Sequence, residues 1–113
     1  MAAISVFVGL NASNEELGLK AQNTWAFTSN AAMNEFDDYL QLDVEAMQDA
    51  KVPLLFISFP SAKDPNWTKH AGRENKSTVA IVTLANWDWY KQWKEGPLKR
   101  RGDDYEAVIY HFK

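Results

Sequence analysis

Residues 53–60 read Pro53-Leu54-Leu55-Phe56-Ile57-Ser58-Phe59-Pro60, the most apolar stretch of the chain. A short apolar run between prolines predicts a strand, and its lack of alternation predicts cover on both faces, with Phe56 buried. Pro60 and Pro65 restrict the backbone on either side of Ser61-Ala62-Lys63-Asp64, which reads as a rigid turn. That turn has two readings. In one, Asp64 closes it by accepting backbone N–H bonds while Lys63 stays in solvent. In the other, the turn lies at the mouth of a cavity and Lys63 meets the polar end of a ligand.

The elements around this strand alternate between the two regular types. Ile4-Ser5-Val6-Phe7-Val8-Gly9-Leu10 reads as another strand, again with little alternation and so covered on both faces. Ser13-Asn14-Glu15-Glu16 is a capping box, and Gly18 ends its turn. Thr24 to Thr28 alternates, placing Trp25 and Phe27 on one face of a short strand. Residues 30–41 read as a helix with Met33, Phe36 and Leu40 on its stripe. A second helix follows over 44–50, with Asp43 as N-cap and Leu42 and Met47 at the staple positions.

Beyond the turn a polar loop runs to Lys76, and Ser77 to Leu84 forms the last strand. Asn86 caps a Trp-rich helix over 87–94, stopped by Gly96-Pro97. On an α-helix Trp89 and Trp93 share one face, and Trp87 and Tyr90 another. The last helix opens at Asp103 with Glu106 three residues on, and its stripe is Tyr105, Val108, Ile109 and Phe112. The order β-β-α-α-β-β-α-α predicts an α+β fold: a single layer of about four antiparallel or mixed strands, with helices packed on one face. No repeat, linker or boundary interrupts residues 1–113, which read as a single domain. The abrupt first strand and the unstopped last helix point to a piece of a longer chain.

Composition removes several function classes. The 113 residues are 46% hydrophobic and 24% charged, which is ordinary globular usage rather than disorder or low complexity. Cys is absent, so disulfides, thiol catalysis and thiolate metal sites are excluded. No apolar run approaches the ~18 residues of a membrane span, and no charged leader precedes an apolar stretch. The net charge of −3 conceals an acidic first half and a basic second half. The bases are interleaved with acids, and the one dense cluster, Lys99-Arg100-Arg101, is followed at once by Asp103 and Asp104. A nucleic-acid partner is therefore not expected.

Catalytic groups are scarce. His70 and His111 have no partner at metal spacing, so no metal site is expected. No Gly-x-Ser-x-Gly elbow, Gly-x-Gly-x-x-Gly turn or phosphate loop occurs, so neither a catalytic nor a cofactor-binding residue is assigned. Asp37-Asp38 are adjacent, so they diverge on a helix rather than converge on a substrate, and Asp103-Asp104 reads as a helix cap with its neighbour. Asn11, Asn66 and Asn75 each open an Asn-x-Ser/Thr triplet, where chance gives about one such match.

The stretch from Pro53 to Trp67, reading PLLFISFPSAKDPNW, resembles the retinol saturases (all-trans-retinol 13,14-reductases). These belong to a flavoprotein family with the carotenoid isomerases and phytoene desaturases. The resemblance extends to residues 5–10, Glu15-Glu16-Leu17, Gln22-Asn23-Thr24-Trp25, Lys76-Ser77-Thr78, Trp89-Tyr90-Lys91-Gln92-Trp93 and Arg101-Gly102-Asp103-Asp104-Tyr105-Glu106. Over His70 to Lys76 this chain is longer than the short Pro-Gly turn of the family.

The resemblance implies a fragment: the substrate domain of an FAD-dependent oxidoreductase, without the segments that hold the flavin. It implies that the parent uses FAD and a nicotinamide hydride source to saturate a retinoid double bond. It also implies that the parent sits at the endoplasmic reticulum membrane or in its lumen, and that the isolated chain is inactive. The remainder of the parent and an apolar polyene are the implied partners. Phe56, Ser58, Ser61 and Lys63 are the substrate-lining candidates. The competing reading is a free-standing module that binds an apolar ligand or a protein without flavin.

Overall fold

The computed structural model describes residues 1–94, 102–110 and 112. The Gly96-Pro97 stop, the Lys99-Arg100-Arg101 cluster and His111 lie outside the described residues. Four strands, β1 (Ala2–Leu10), β2 (Asn23–Phe27), β3 (Leu54–Ser58) and β4 (Ser77–Ala85), form one open antiparallel sheet in the order β1-β4-β3-β2. β3 and β4 pair with Phe56 opposite Val82 and Ser58 opposite Ala80. With the helices described below, this is the α+β class that the element order predicts.

Two expectations about cover are corrected. β1 is an edge strand, and its residues alternate between half-buried and exposed, with Phe7 78% exposed. β3 lies between β4 and β2, yet Leu54 to Ile57 are all half-buried rather than buried. Phe56 is among them, and the Trp25 ring meets it edge-on at 5.0 Å.

The chain divides into two compact units. The first comprises Met1–Ile4, Phe27–Leu54 and Thr83–Lys113. It carries helices α1 (Ala32–Gln41) and α2 (Val44–Asp49), a 3₁₀-helix over Trp87–Trp93, and a later helix over Asp103–Tyr110. Asp43 caps α2 as expected, its Oδ1 accepting from the Ala46 N–H at 2.8 Å. Met47, at the staple position, is fully buried. The stripe of α1 departs from expectation: Ala32 and Tyr39 are buried, whereas Met33 is 66% exposed.

The Trp-rich segment is the larger departure. Asn86 caps it, its Oδ1 accepting from the Asp88 N–H at 2.9 Å, but the turns are 3₁₀. With three residues per turn, positions i and i+3 eclipse. Tyr90 and Trp93 therefore share an edge, and both pack on Tyr105, with ring centroids 6.5 and 5.4 Å away. Trp89 is freed to enter the core separately, where it meets Tyr39 edge-on at 5.4 Å. Trp89, Tyr39, Met47, Ala85, Tyr90 and Val108 form the buried cluster of this unit.

The Tyr39 and Tyr90 hydroxyls are buried without a hydrogen-bond partner among the described residues. An unpaired buried hydroxyl is a cost, so removing it relieves the fold. Tyr39→Phe is expected to leave stability unchanged or raise it by about 1 kcal/mol, measured by urea unfolding. A loss of that size would mean that the hydroxyl has a partner. Burial pushes the Tyr39 phenol up to about 12. Burial first, then the Tyr39 and Tyr105 phenols, push Tyr90 up as well. The unfolded phenols ionise near ~10. Stability is therefore flat below that pH and falls as the pH rises from ~10 toward the folded value. Tyr39→Phe flattens part of that fall.

The second unit comprises Ser5–Ala26 and Leu55–Val82. The capping box is present in full: the Ser13 N–H donates to Glu16 Oε2 at 2.8 Å, and the Glu16 N–H donates to Ser13 Oγ at 3.1 Å. Gly18 follows at φ 64°, the left-handed value that glycine adopts without strain. The Pro-bracketed turn is a single helical turn, α3 (Pro60–Lys63), which makes the Asp103–Tyr110 helix α4. Among the described residues no helix is long and apolar enough to cross a membrane.

Candidate functional site

The site is built where β3 ends and α3 begins. Pro60 sits at the first turn of α3, where its missing N–H costs nothing. Asp64 closes that turn from the other end, its Oδ1 accepting from the Asn66 N–H at 2.9 Å. This is the turn-closing role that the sequence allows for Asp64.

Lys63 is exposed, but its ammonium is tethered to the protein. Its Nζ donates to Ser58 Oγ at 2.8 Å and to Asn23 Oδ1. Ser58 is buried, and Asn23 stands two residues before Trp25, on the same face of β2. Phe56 stands two residues before Ser58, on the same face of β3. Phe56, Ser58 and Lys63 are thus brought to one place, with Trp25 against Phe56 and 59% exposed. The result is an aromatic surface with a tethered ammonium at its rim. Both anchors of that ammonium are neutral, and among the described residues no carboxylate pairs with it.

Ser61 is placed differently. It is 1% exposed, and its hydroxyl donates to Asn14 Oδ1 at 2.7 Å while accepting from the Thr78 N–H at 2.9 Å. The Ser61 N–H donates to Thr78 Oγ1, and its carbonyl accepts from Asn14 Nδ2, both at 3.2 Å. It lines a separate cleft of roughly 270 Å³ with Asn14, Asp64, Pro65 and Trp67. Sequence reasoning missed Asn23, Asn14 and Thr78. The signal for Asn23 was a polar side chain in register with Trp25.

Among the described residues no three His, Asp or Glu side chains are placed to hold a metal. What the site offers is an aromatic surface for an apolar body and N–H donors at one end.

Three known proteins are similar in sequence to this chain. The chain is 37% identical over 107 residues to all-trans-retinol 13,14-reductase of Danio rerio, covering 95% of this chain. It is a relative of the all-trans-retinol 13,14-reductases. The Rattus norvegicus all-trans-retinol 13,14-reductase is 30% identical over 113 residues. A second Danio rerio protein, named inactive all-trans-retinol 13,14-reductase, is 36% identical over 107 residues. The chain spans about 17–18% of the length of these reductases. No family model and no solved structure matches it.

Proposed function

We propose that this chain is the substrate-covering segment of an FAD-dependent oxidoreductase that saturates one carbon–carbon double bond of a retinoid. The observation that carries the reading is the 37% identity to a protein named for that reduction. The Trp25–Phe56 surface supports it, since a polyene needs an apolar, water-poor wall. In such an enzyme the flavin, reduced by a nicotinamide hydride source, supplies the hydride chemistry.

The described residues do not fit the flavin's diphosphate. That group is held by a strand, a Gly-rich turn and a helix N-terminus. Here β1 runs into the turn closed by Ser13 and Glu16, and the next helix begins only at Ala32. FAD is therefore assigned to the remainder of the longer protein, and the isolated chain is expected to be inactive. The proposed location is the endoplasmic reticulum membrane or lumen.

The test is to assay the full-length protein, loaded with FAD, on all-trans-retinol with a nicotinamide hydride source. A product two hydrogens heavier, with the 13,14 bond reduced, is the expected result. A flavin-loaded protein that leaves the polyene intact would overturn the reading. Lys63→Ala in the same protein should raise KM for the retinoid by about 2–10-fold, the loss of one hydrogen bond to substrate. Folding stability should change by less than about 1 kcal/mol. Unchanged kinetics would leave Lys63 as part of the turn alone. The relative named inactive favours a second reading, in which the same surface holds an apolar ligand or a protein without turnover. Retinoid binding by full-length protein that takes up no FAD would select it.

A further inference from the structure

Three Asn-x-Ser/Thr triplets, at Asn11, Asn66 and Asn75, lie apart in the sequence but are bonded to one another in the second unit. Ser77, the last residue of the Asn75 triplet, donates from Oγ to the carbonyl of Ala12, the middle residue of the Asn11 triplet, at 2.9 Å. Trp67, the middle residue of the Asn66 triplet, donates from Nε1 to the Lys76 carbonyl in the Asn75 triplet at 2.7 Å. The fold therefore gathers all three at one place.

Their acceptor amides also differ from those of Asn14, Asn23 and Asn86. The Asn14, Asn23 and Asn86 side chains are engaged in hydrogen bonds. Asn11, Asn66 and Asn75 are exposed, and their side-chain amides bond to no described residue. Asn66 heads the 3₁₀ turn Trp67–Lys69 without capping it. A bulky hydrophilic group at any of the three would displace nothing.

We propose that Asn11, Asn66 and Asn75 accept N-linked glycans and mark one sugar-bearing, solvent-facing surface of this unit. In each transfer the amide Nδ2 attacks the anomeric carbon of an oligosaccharide carried on a polyprenyl diphosphate. The N–C bond forms, the C–O bond to the diphosphate breaks, the polyprenyl diphosphate leaves with the electron pair, and the amide proton passes to a base. The inference rests on the endoplasmic reticulum reading above, because the donor is presented in that lumen.

The experiment expresses the chain behind a cleavable secretory leader in cultured mammalian cells. Mobility and mass are compared before and after peptide-N-glycosidase. Three sensitive steps are expected. Asn11→Gln, Asn66→Gln and Asn75→Gln should each remove one step, and Thr68→Ala should match Asn66→Gln. Asn30 and Asn34 are exposed but have no hydroxyl two residues on, and should stay unmodified. Material that enters the lumen with no sensitive step overturns the proposal. The full-length protein without an added leader separates the two readings. If it is unmodified while the leader-directed chain is modified, the location falls and the acceptor assignment stands.

Discussion

Replacing Trp89 with alanine is expected to lower folding stability by about 3–5 kcal/mol, the largest loss of any single truncation in the first unit. The indole is 2% exposed and packs edge-on against Tyr39. Its Nε1 also donates to the Leu42 carbonyl at 2.7 Å, tying the 3₁₀ segment to the residue after α1. Alanine leaves a cavity and strands that carbonyl, so two costs fall on one position. Trp89→Phe keeps most of the ring volume and loses only the donor, and should recover more than half of the loss. Equilibrium urea unfolding of the three proteins measures both. A loss under about 1.5 kcal/mol for Trp89→Ala would mean that Tyr39 and Met47 collapse into the space.

Ser61→Ala is expected to cost about 1–3 kcal/mol, although it removes a single oxygen. That oxygen is buried and serves two partners, Asn14 Oδ1 and the Thr78 N–H. Losing it leaves an acceptor and a donor unsatisfied inside the second unit. Under the proposed function, the variant of the full-length protein should show less folded protein but an unchanged KM for the retinoid. A raised KM with stability intact would put the Ser61 hydroxyl in contact with substrate. Under the same proposal Lys63→Ala should show the reverse pattern, so the two substitutions separate scaffold from surface at positions two residues apart.

What the sequence revealed and what it hid follow the range of the interactions. Ser13 with Glu16, Asp43 with Ala46 and Asn86 with Asp88 are bonds within three residues, and all three caps were legible. Edge position in the sheet was not, because it depends on strand order. Nothing within Ile4 to Leu10 says that β1 lies outside β4. The helical period over 87–93 was ambiguous for a local reason: aromatics at 87, 89, 90 and 93 satisfy both i+3 and i+4. Buried Trp89 beside buried Tyr90 is the outcome of the tighter turn. At the site, Ser58 and Lys63 were within sight of each other, five residues apart. Asn23 and Asn14 act across 40 and 47 residues and left no spacing signal.

Those long spans also set a clock. The bond from Ser77 to the Ala12 carbonyl joins residues 65 apart, so it cannot close until the ribosome has added the whole intervening chain. At roughly 5–20 residues per second, that interval is on the order of 3–13 s. Throughout it the stretch around Asn11 has no native partner from the Asn75 stretch and stays open to any enzyme that acts on nascent chain. A fold rich in such distant closures is also slow to complete once synthesis ends. The bond that fastens the start of the second unit to its end thus forms late, and it leaves the loop after β1 accessible for that interval.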